Sequence, residues 1–480
     1  MKIIYTNRVG ERTEDVSSLY RDVAKMLSEE TMDGNVVKVC EAEQPCHRLV
    51  YNIGRRSGTR FITELENTMP DEYLDKDVKD RFLTCVDPEK NAYKFYKLSS
   101  MGDMFRASYG RMGQMKGQLF GERSYDYPLS MFWIKYYEKL SKGYVDRSDV
   151  YMDESDKSSQ KQAETGKSRA DKLRSTNTAS ISLFTKLKNL AKRAVDHAQV
   201  KVPITQAILD YSHKALAKMK AAKTVEEFNE ILLDLISVLQ RPVATGDGSG
   251  VKRLMAKAES DFPGIISRED DLIQAMEGTF YGKPHASSVD GFAKYGIEVY
   301  EATEKQREQV LSHLSESLKG KVKCVYRVIP HAQQNAFNEY LRTHKIKKVK
   351  QLWHGSRNQN WLSIMVNSLK LRPDAIITGK MFGDGIYFAP SSMKSWNYTS
   401  YRGTSWAGGQ DNIAYMGLYA TAYGTPYDVD TWSASRDYPA EMKAHGANCI
   451  HAHKGSALMN DEIIYYSEAA MVLNYIVEFV

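Results

Sequence analysis

Three short segments near the C-terminal end of this 480-residue chain carry side chains that could take part in a reaction. His354 lies in LWHGSR, Tyr387 and Tyr398 lie in MFGDGIYFAPSSMKSWNY, and Glu462 lies in NDEIIYY. Two tyrosine rings can hold a planar, partly cationic ring between them. A carboxylate can bind a sugar hydroxyl and stabilise a developing oxocarbenium ion. Together, these side chains indicate substitution at a sugar carbon from which a good leaving group departs first.

Each residue alone has an ordinary structural explanation. A histidine in a strand is commonly a hydrogen-bonded core residue, and a tyrosine in an apolar strand packs with its hydroxyl bonded. A glutamate that opens a strand is commonly solvated. The glycines that flank the loops here favour a binding site instead, because glycine lets the backbone approach a flat ligand closely.

The elements that must position these residues form a strand-rich C-terminal region. Short β-branched and aromatic runs predict strands at 324–331, 350–356, 385–389, 415–424, 461–467 and 469–480. Helices are predicted at 303–314 and 331–345. The absence of a strand–helix–strand rhythm with GxGxxG argues against a Rossmann fold. We therefore expect an α+β domain at 286–480, built on antiparallel sheets.

Four regions precede this domain. Residues 1–85 are a small α+β region without an assigned role, and residues 86–150 predict an antiparallel sheet with one packed helix. Residues 151–179 are polar and poor in large apolar groups, which predicts a flexible linker. Residues 180–285 predict an all-helical domain, including two shorter helices at 250–261 and 268–277.

Charge and composition narrow the function classes. The net charge is +6, but residues 161–223 hold 14 Lys or Arg against 4 Asp or Glu. This basic stretch could contact phosphate, or it could be a solvated face. The most apolar stretch, 231–239, is too short to cross a membrane and is interrupted by Asp234. We therefore expect no membrane association.

The five cysteines are scattered, which is typical of free thiols in a reducing compartment. His451 and His453, with Cys449 nearby, could bind a metal ion. Alternation along a strand explains two histidines on one side equally well. We therefore predict no metal site.

The motifs also resemble those of the poly(ADP-ribose) polymerases, the PARP family. LWHGSR, TGKMFGDGIYFA, MKSWNY and NDEIIYY resemble the motifs of that family's catalytic domain, in order, and the likeness covers about 290–480. Upstream, FRASYGRMGQMKGQ resembles the family's WGR module, with Tyr109 where tryptophan is usual and Arg111 matching. The helical region lies where such proteins carry an autoinhibitory helical domain.

The resemblance implies an NAD+-dependent ADP-ribosyltransferase with a catalytic triad of His354, Tyr387 and Glu462. NAD+ would be the substrate, with no metal required. Tyr398 and Tyr387 would enclose the nicotinamide, His354 would bond the adenosine ribose, and Glu462 would bond the nicotinamide ribose. The full NAD+-binding set would be Gly355, Ser356, Asn360, Lys370, Ser395 and Tyr398.

The resemblance also implies a partner and a biological role. DNA ends or nicks would bind the WGR-like module through Tyr109 and Arg111, with help from the basic linker. The enzyme would then build poly(ADP-ribose) on protein acceptors, including itself. Asp384, which stands where the family often has lysine, keeps mono-ADP-ribosyl transfer open. A catalytically idle scaffold that binds DNA ends is a third possibility. The location would be nuclear in a eukaryote and cytoplasmic otherwise.

Overall fold

The computed structural model describes five strand backbones within residues 2–68, and then residues 78–113, 122–140, 142–151, 177–200, 202–243, 250–282, 291–371, 381–455 and 458–480. Most of the predicted linker, residues 152–176, lies outside this description. The chain divides into two units, Met1–Met152 and Asp153–Val480. Among the described residues, no helix is both long and apolar enough to cross a membrane.

The first unit contains two antiparallel sheets. The N-terminal sheet has the order β2-β1-β3-β4-β5. Its strands are β1 (Lys2–Asn7), β2 (Gly10–Asp15), β3 (Val37–Glu41), β4 (Arg48–Arg56) and β5 (Thr59–Thr68). The second sheet has the order β10-β6-β7-β8-β9. Its strands are β6 (Arg81–Asp87), β7 (Ala92–Met101), β8 (Met104–Arg111), β9 (Arg123–Pro128) and β10 (Val145–Asp146).

One helix packs on the second sheet, as the alternation of its strands predicted. Helix α1 (Phe132–Leu140) buries Phe132 and Trp133 against Phe105 and Leu98 of the sheet. A short helix, α2 (Ser148–Tyr151), follows β10. Strand β6 begins at Arg81, so this sheet crosses the predicted boundary at residue 85. The assignment of residues 86–150 as a WGR-like module stays a prediction.

The second unit begins with four long helices. They are α3 (Thr178–Ala198), α4 (Gln206–Ala221), α5 (Val225–Val238) and α6 (Phe262–Tyr281). Asn177, Thr205 and Thr224 cap α3, α4 and α5, each accepting a hydrogen bond from a backbone N–H three residues on. The regulatory role predicted for these helices stays a prediction.

Of the two shorter helices predicted before residue 280, the one at 268–277 is helical but part of a longer helix, and the one at 250–261 was wrong. Residues 268–277 are the middle of the 20-residue helix α6, which has proline in its first turn. Residues 250–261 form two 3₁₀ turns instead of an α-helix. There, the Asn229 amide bonds both backbone groups of Ala256, at 2.8 and 2.9 Å, and the Asp261 carboxylate accepts from Lys257 N and Ala258 N. These side chains replace the helical backbone partners.

Two sheets complete the second unit. The first, ordered β11-β12-β19-β15-β13, is antiparallel throughout. Its strands are β11 (Ile297–Glu301), β12 (Val322–Pro330), β13 (Val349–Gly355), β15 (Ala414–Ala422) and β19 (Met471–Phe479). The second sheet is ordered β14-β18-β17-β16. Its strands are β14 (Ile386–Phe388), β16 (Pro426–Val429), β17 (Cys449–Ala452) and β18 (Glu462–Tyr465).

Mixed α+β structure with antiparallel sheets is therefore confirmed, with one exception to the pairing. Strands β16 and β17 are parallel, because α12 (Tyr438–Ala444) carries the chain back between them. The remaining helices are α7 (Glu304–Ser312), α8 (Glu316–Lys319), α9 (His331–Thr343), α10 (Trp361–Asn367) and α11 (Ser392–Trp396). The helices at 304–312 and 331–343 match the predicted positions.

Candidate active site

A main-chain joint between the two sheets of the second unit brings the first and second sequence motifs together. Trp353 N donates to the Ala389 carbonyl, and Ala389 N donates to the Trp353 carbonyl, each at 3.0 Å. Trp353 immediately precedes His354 at the end of β13, and Ala389 directly follows β14, which carries Tyr387. The joint therefore fixes the distance between the two motifs without relying on any side chain.

The His354 ring is held in one orientation and kept neutral. Its Nδ1 lies 3.0 Å from the Tyr387 carbonyl oxygen, which can only accept, so Nδ1 carries the proton. Burial lowers the pKa of His354 to about 4, although the bond to the Tyr387 carbonyl works in the opposite direction. Trp361, Phe388 and Tyr419 surround the ring edge-on. The neutral Nε2 is left as an acceptor at the cleft.

Gly355 and Ser395 form a close backbone contact beside His354. A Cβ on Gly355 would fall well inside the van der Waals radius of the Ser395 carbonyl oxygen, so a larger residue could not be accommodated there. The buried Ser395 hydroxyl donates to the Trp353 carbonyl at 3.0 Å. The hydroxyl proton is committed to that bond, so toward a ligand the hydroxyl oxygen acts as an acceptor, for example from an amide N–H.

Both tyrosines of the second motif border the same cleft. The Tyr387 hydroxyl donates to the Gly383 carbonyl at 2.8 Å and accepts from Phe382 N at 3.0 Å, which fixes the ring. Burial raises the pKa of Tyr398 to about 12, with a further contribution from the charge of Glu462. The Tyr398 ring also lies nearly parallel to that of Trp406, with centroids 6.3 Å apart.

Glu462 opens β18 and is only 5% exposed. One carboxylate oxygen, Oε1, forms a close ion pair with Lys394 Nζ. The other, Oε2, accepts no hydrogen bond from any residue that the structure describes. Burial raises the pKa of Glu462, and the Lys394 ammonium opposes that shift. The carboxylate is thus held by one cation, and its second oxygen is buried without a hydrogen-bond partner among the described residues.

The other predicted NAD+-binding residues line the same cleft, which also contains His354, Gly355, Tyr387, Ser395, Tyr398 and Glu462. The Ser356 hydroxyl accepts from the buried Asn360 amide at 3.3 Å. Lys370 is exposed and pairs with Glu468 at 2.8 Å. The structure therefore brings every predicted catalytic and NAD+-binding residue to one cleft. The role assigned to each stays a prediction.

Helix α6 forms one wall of this cleft through Ser267, Asp270, Asp271 and Gln274. Arg357, two residues after Gly355, pairs with Asp271 at 3.1 Å. Burial raises the pKa of Asp271 to about 6, while the Arg357 charge acts in the opposite direction. A second contact joins Glu277 of α6 to the Ser363 hydroxyl of α10 at 2.6 Å. The helical region and the strand-rich region thus share one cavity.

Sequence reasoning missed several contributors to the cleft, among them Lys394, Asp271 and Trp406. Lys394 lies in the quoted motif MKSWNY, and a cation six residues beyond the end of β14 was the available signal. Asp271 gave no such signal, because its position depends on contacts between distant segments. Trp406 lies in the loop after Tyr398 and also lines the cleft. Of these, Lys394 matters most, because it contacts the predicted catalytic carboxylate.

The predicted DNA-binding residues lie on β8 in the first unit. The Tyr109 ring stacks between those of Tyr96 and Tyr125, with centroids 5.9 and 6.2 Å away. Arg111 donates to the Asn91 carbonyl and to the Asn91 side-chain oxygen, at 2.8 and 2.7 Å. Burial lowers the pKa of Arg111. These contacts hold the turn between β6 and β7, so Arg111 has a structural role whether or not it binds DNA.

Comparison with known proteins gives the cleft a family. The model of the poly(ADP-ribose) polymerase catalytic domain matches residues 301–462. The poly [ADP-ribose] polymerase-like protein 100L of Invertebrate iridescent virus 6 is 30% identical over 159 residues, which are 32% of this chain and 83% of the viral protein. Poly [ADP-ribose] polymerase 2 of Homo sapiens is 44% identical over 75 residues, 15% of this chain and 12% of that protein. Poly [ADP-ribose] polymerase 1 of Gallus gallus is 34% identical over 110 residues, 23% of this chain and 10% of that protein.

Proposed function

The chain belongs to the poly(ADP-ribose) polymerase family, and from that premise we propose that it transfers ADP-ribose from NAD+ to protein acceptors in response to DNA breaks. Members of the family are ADP-ribosyltransferases, and their catalytic domain uses NAD+ as substrate. The matched segments span most of the viral relative but only about a tenth of the human and chicken proteins. The acceptors, the polymer and the DNA response of this chain are therefore proposals.

One observation supports the catalytic proposal more than any other. The buried Glu462 carboxylate borders the same cleft as His354, Tyr387 and Tyr398, with one oxygen on Lys394 and the other without a hydrogen-bond partner among the described residues. A buried anion with an available oxygen can bind a ribose hydroxyl and stabilise positive charge that develops on the adjacent sugar carbon.

The surrounding residues suit the two ends of NAD+. Gly355 and Ser395 provide a narrow backbone slot and a hydroxyl acceptor for the carboxamide, and Tyr398 provides a face for the nicotinamide ring. The neutral His354 Nε2 would accept the proton of the adenosine ribose hydroxyl. Asn360 and Lys370 would contact the adenosine half.

The transfer breaks the bond between the nicotinamide nitrogen and the ribose carbon, and the electron pair leaves with nicotinamide. The ribose carbon becomes cationic, and an acceptor oxygen then attacks it. Glu462 stabilises the cation and orients the acceptor, whose proton it can receive. Removing one such electrostatic contact typically costs about 10²–10³ in kcat.

DNA control would act through α6. Its Asp270 and Asp271 border the cleft, where their carboxylates would disfavour an anionic dinucleotide. We propose that DNA at the first unit shifts the population toward states in which α6 has moved away. Tyr109, Arg111 and the basic linker would provide the DNA contacts, and a DNA-dependent role would place the protein in the nucleus of a eukaryotic cell or in the cytoplasm of any other.

The test is incorporation of labelled NAD+ with and without a DNA duplex that bears a 5′-phosphorylated nick. Wild type, Glu462→Gln and the control Glu316→Gln, an exposed glutamate away from the cleft, would be run together. We expect a DNA-stimulated high-molecular-weight smear that collapses in Glu462→Gln and persists in the control.

The other outcomes separate the alternatives. A sharp band that DNA does not alter would indicate mono-ADP-ribosyl transfer, which Asp384 in place of the usual lysine would favour, and would refute the DNA response. Absence of any label, with DNA still bound, would indicate an idle scaffold and refute the catalytic proposal.

A further inference from the structure

A cluster of imidazoles and carboxylates lies on the second sheet, on residues that the proposed transfer does not use. His451 on β17 is paired directly with Asp428 on the parallel strand β16. His453 follows two residues later and therefore lies on the same side of the sheet. One ligand atom from each of Asp428, His451 and His453 lies within 4.8 Å of the others.

The distances resemble those around a small metal ion. Asp428 Oδ1 lies 3.6 Å from His451 Nδ1 and 2.8 Å from His453 Nε2. Ligands at about 2.0–2.1 Å from a tetrahedral zinc ion are about 3.4 Å apart. Asp428 Oδ1 would reach that spacing from both imidazoles if its separation from His453 Nε2 grew by about 0.6 Å and its separation from His451 Nδ1 fell by about 0.2 Å. Asp428 and His453 are 58% and 34% exposed, so both can move.

Asp461 lies on the other side of the two imidazoles. Its Oδ2 is 3.1 Å from His451 Nε2 and 4.0 Å from His453 Nδ1, the nitrogens that face away from Asp428. Asp461 is itself fixed by a 2.9 Å bond from Lys454 N to its Oδ1. Histidines that bind metals commonly donate their second N–H to a carboxylate in this way.

The hydrogen bonds also assign the His451 tautomer. Nε2 faces a carboxylate that can only accept, so Nε2 carries the proton and Nδ1 keeps its lone pair. That lone pair faces Asp428 and the Tyr423 hydroxyl, which lies 2.8 Å away and donates to it. An ion would displace this hydroxyl proton, and it would also displace the proton that His453 Nε2 donates to Asp428 Oδ1 at 2.8 Å. The Lys350 and Lys348 ammonium groups, 3.6 and 4.9 Å from the centroid of the Tyr423 ring, are the opposing charges, and the two carboxylates equal them in number.

We propose that Asp428, His451 and His453 bind a divalent transition-metal ion such as Zn²⁺, with Asp461 orienting the histidines and water completing the coordination. Imidazole ligands favour zinc, cobalt and nickel over the hard cations magnesium and calcium. The sequence analysis predicted no metal, because strand alternation alone accounts for two histidines on one side. What alternation did not reveal is that Asp428 and Asp461 meet them from neighbouring segments.

The ion would stabilise the part of the sheet that carries Glu462, the predicted catalytic carboxylate. It would join β16 to β17, and through Asp461 it would fix the residue that directly precedes Glu462. Cys449 is not needed as a ligand, because its thiol donates to the Tyr423 carbonyl and burial raises its pKa to about 12. The proposal does not depend on ADP-ribosyl transfer.

The test is calorimetric titration of the full chain with ZnSO₄ after dialysis against a chelator, with a thermal melt of each sample. Wild type would be compared with Asp428→Asn, His453→Gln, Asp461→Asn and the control His344→Gln, an exposed histidine outside the cluster. We expect one Zn²⁺ per cluster in wild type and control, a melting temperature that rises with Zn²⁺, and loss of this binding in the first two variants. Asp461→Asn should weaken binding about 10–100-fold.

Several outcomes would overturn the proposal. These are no Zn²⁺ binding by wild type, binding that Asp428→Asn and His453→Gln both retain, or equal binding of Mg²⁺. A thiolate charge-transfer band with Co²⁺ that the variants do not alter would place the ion on cysteine instead. If one of the two ligand variants fails to fold, the other decides, since both positions are partly exposed.

Discussion

Lys394 sets the pH at which Glu462 is ionised, and replacing it should move the acid limb of the activity profile. In the present structure, burial raises the pKa of Glu462 and the paired Lys394 ammonium opposes the rise. An opposite charge at such a distance lowers a carboxyl pKa by about 1–3 units. In Lys394→Met, the pKa of Glu462 should therefore rise further above its usual range, because burial then acts without the opposing ammonium.

A higher pKa of Glu462 should lower the activity at low pH. The transfer needs the carboxylate, because only the anion stabilises a cationic sugar carbon. At a fixed pH below the pKa of Glu462, each unit by which that pKa rises lowers the ionised fraction about tenfold, which corresponds to about 1.4 kcal/mol. We expect Lys394→Met to lose the most activity at low pH and to recover as the pH rises. Lys394→Arg keeps the positive charge, so the acid limb of its pH–activity profile should match that of wild type.

Stability should follow the same titration. The pKa of Glu462 in the folded protein lies above its unfolded value of about 4.3. Below pH 4.3 the group is protonated in both states and does not change the free energy of unfolding. As the pH rises through the folded pKa, ionisation of the buried group lowers that free energy. Without Lys394 this cost grows, because a buried charge left without its partner destabilises by about 3–5 kcal/mol. The melting temperature of Lys394→Met should therefore fall further below that of wild type at pH 8 than at pH 4.5.

The assay is kcat/KM for NAD+ between pH 5 and 9 for wild type, Lys394→Met and Lys394→Arg, with a thermal melt at both pH values. Glu462→Gln serves as the variant that cannot titrate. A uniform loss at every pH in Lys394→Met would refute the reasoning. It would mean that Lys394 acts by contacting the substrate and not by controlling the charge of Glu462.

Two further predictions concern glycines, each with a matched control. Gly355→Ala should abolish NAD+ turnover, because its Cβ would collide with the Ser395 carbonyl. In the control Gly320→Ala, the new Cβ meets no atom within 4 Å, and turnover should not change. Turnover and melting temperature are measured for both variants, and an active Gly355→Ala would refute the close contact. Gly278→Val should raise DNA-independent activity several-fold, because even a Cβ there lies 2.8 Å from Ala191 Cβ of α3 and should push α6 off its support. Gly264→Ala on the same helix meets nothing within 4 Å and is the control; unchanged basal activity in Gly278→Val would contradict the control of the cleft by α6.

The strand-borne part of the site was predictable from local pattern. His354, Tyr387 and Glu462 each lie in or at the end of a short apolar strand, and alternation identifies such strands well. Their convergence needed the family resemblance, because pairing between distant strands leaves no local trace. The joint between Trp353 and Ala389 is made by main-chain atoms and is therefore invisible in side-chain pattern.

The parts that local pattern did not predict depend on long-range contacts. Only the middle of helix α6, 268–277, was predicted as helix. Its acidic residues at 269–271 lie within the helix, and Glu269 is buried and paired with Arg241 at 2.7 Å. Its contact with Arg357 joins segments more than 80 residues apart. The parallel pairing of β16 with β17 also escaped prediction, because it follows from the short helix between them.

The joint between Trp353 and Ala389 has a consequence for how freely this protein can vary. The hydrogen bonds between these main-chain groups do not depend on side-chain identity, although the buried Trp353 ring is also held by packing and by its Nε1 bond to the His313 carbonyl at 2.8 Å. Proline is the exception, since it lacks the N–H that each position donates. Among the residues that the core can accommodate at these two positions, natural variation should therefore exclude proline.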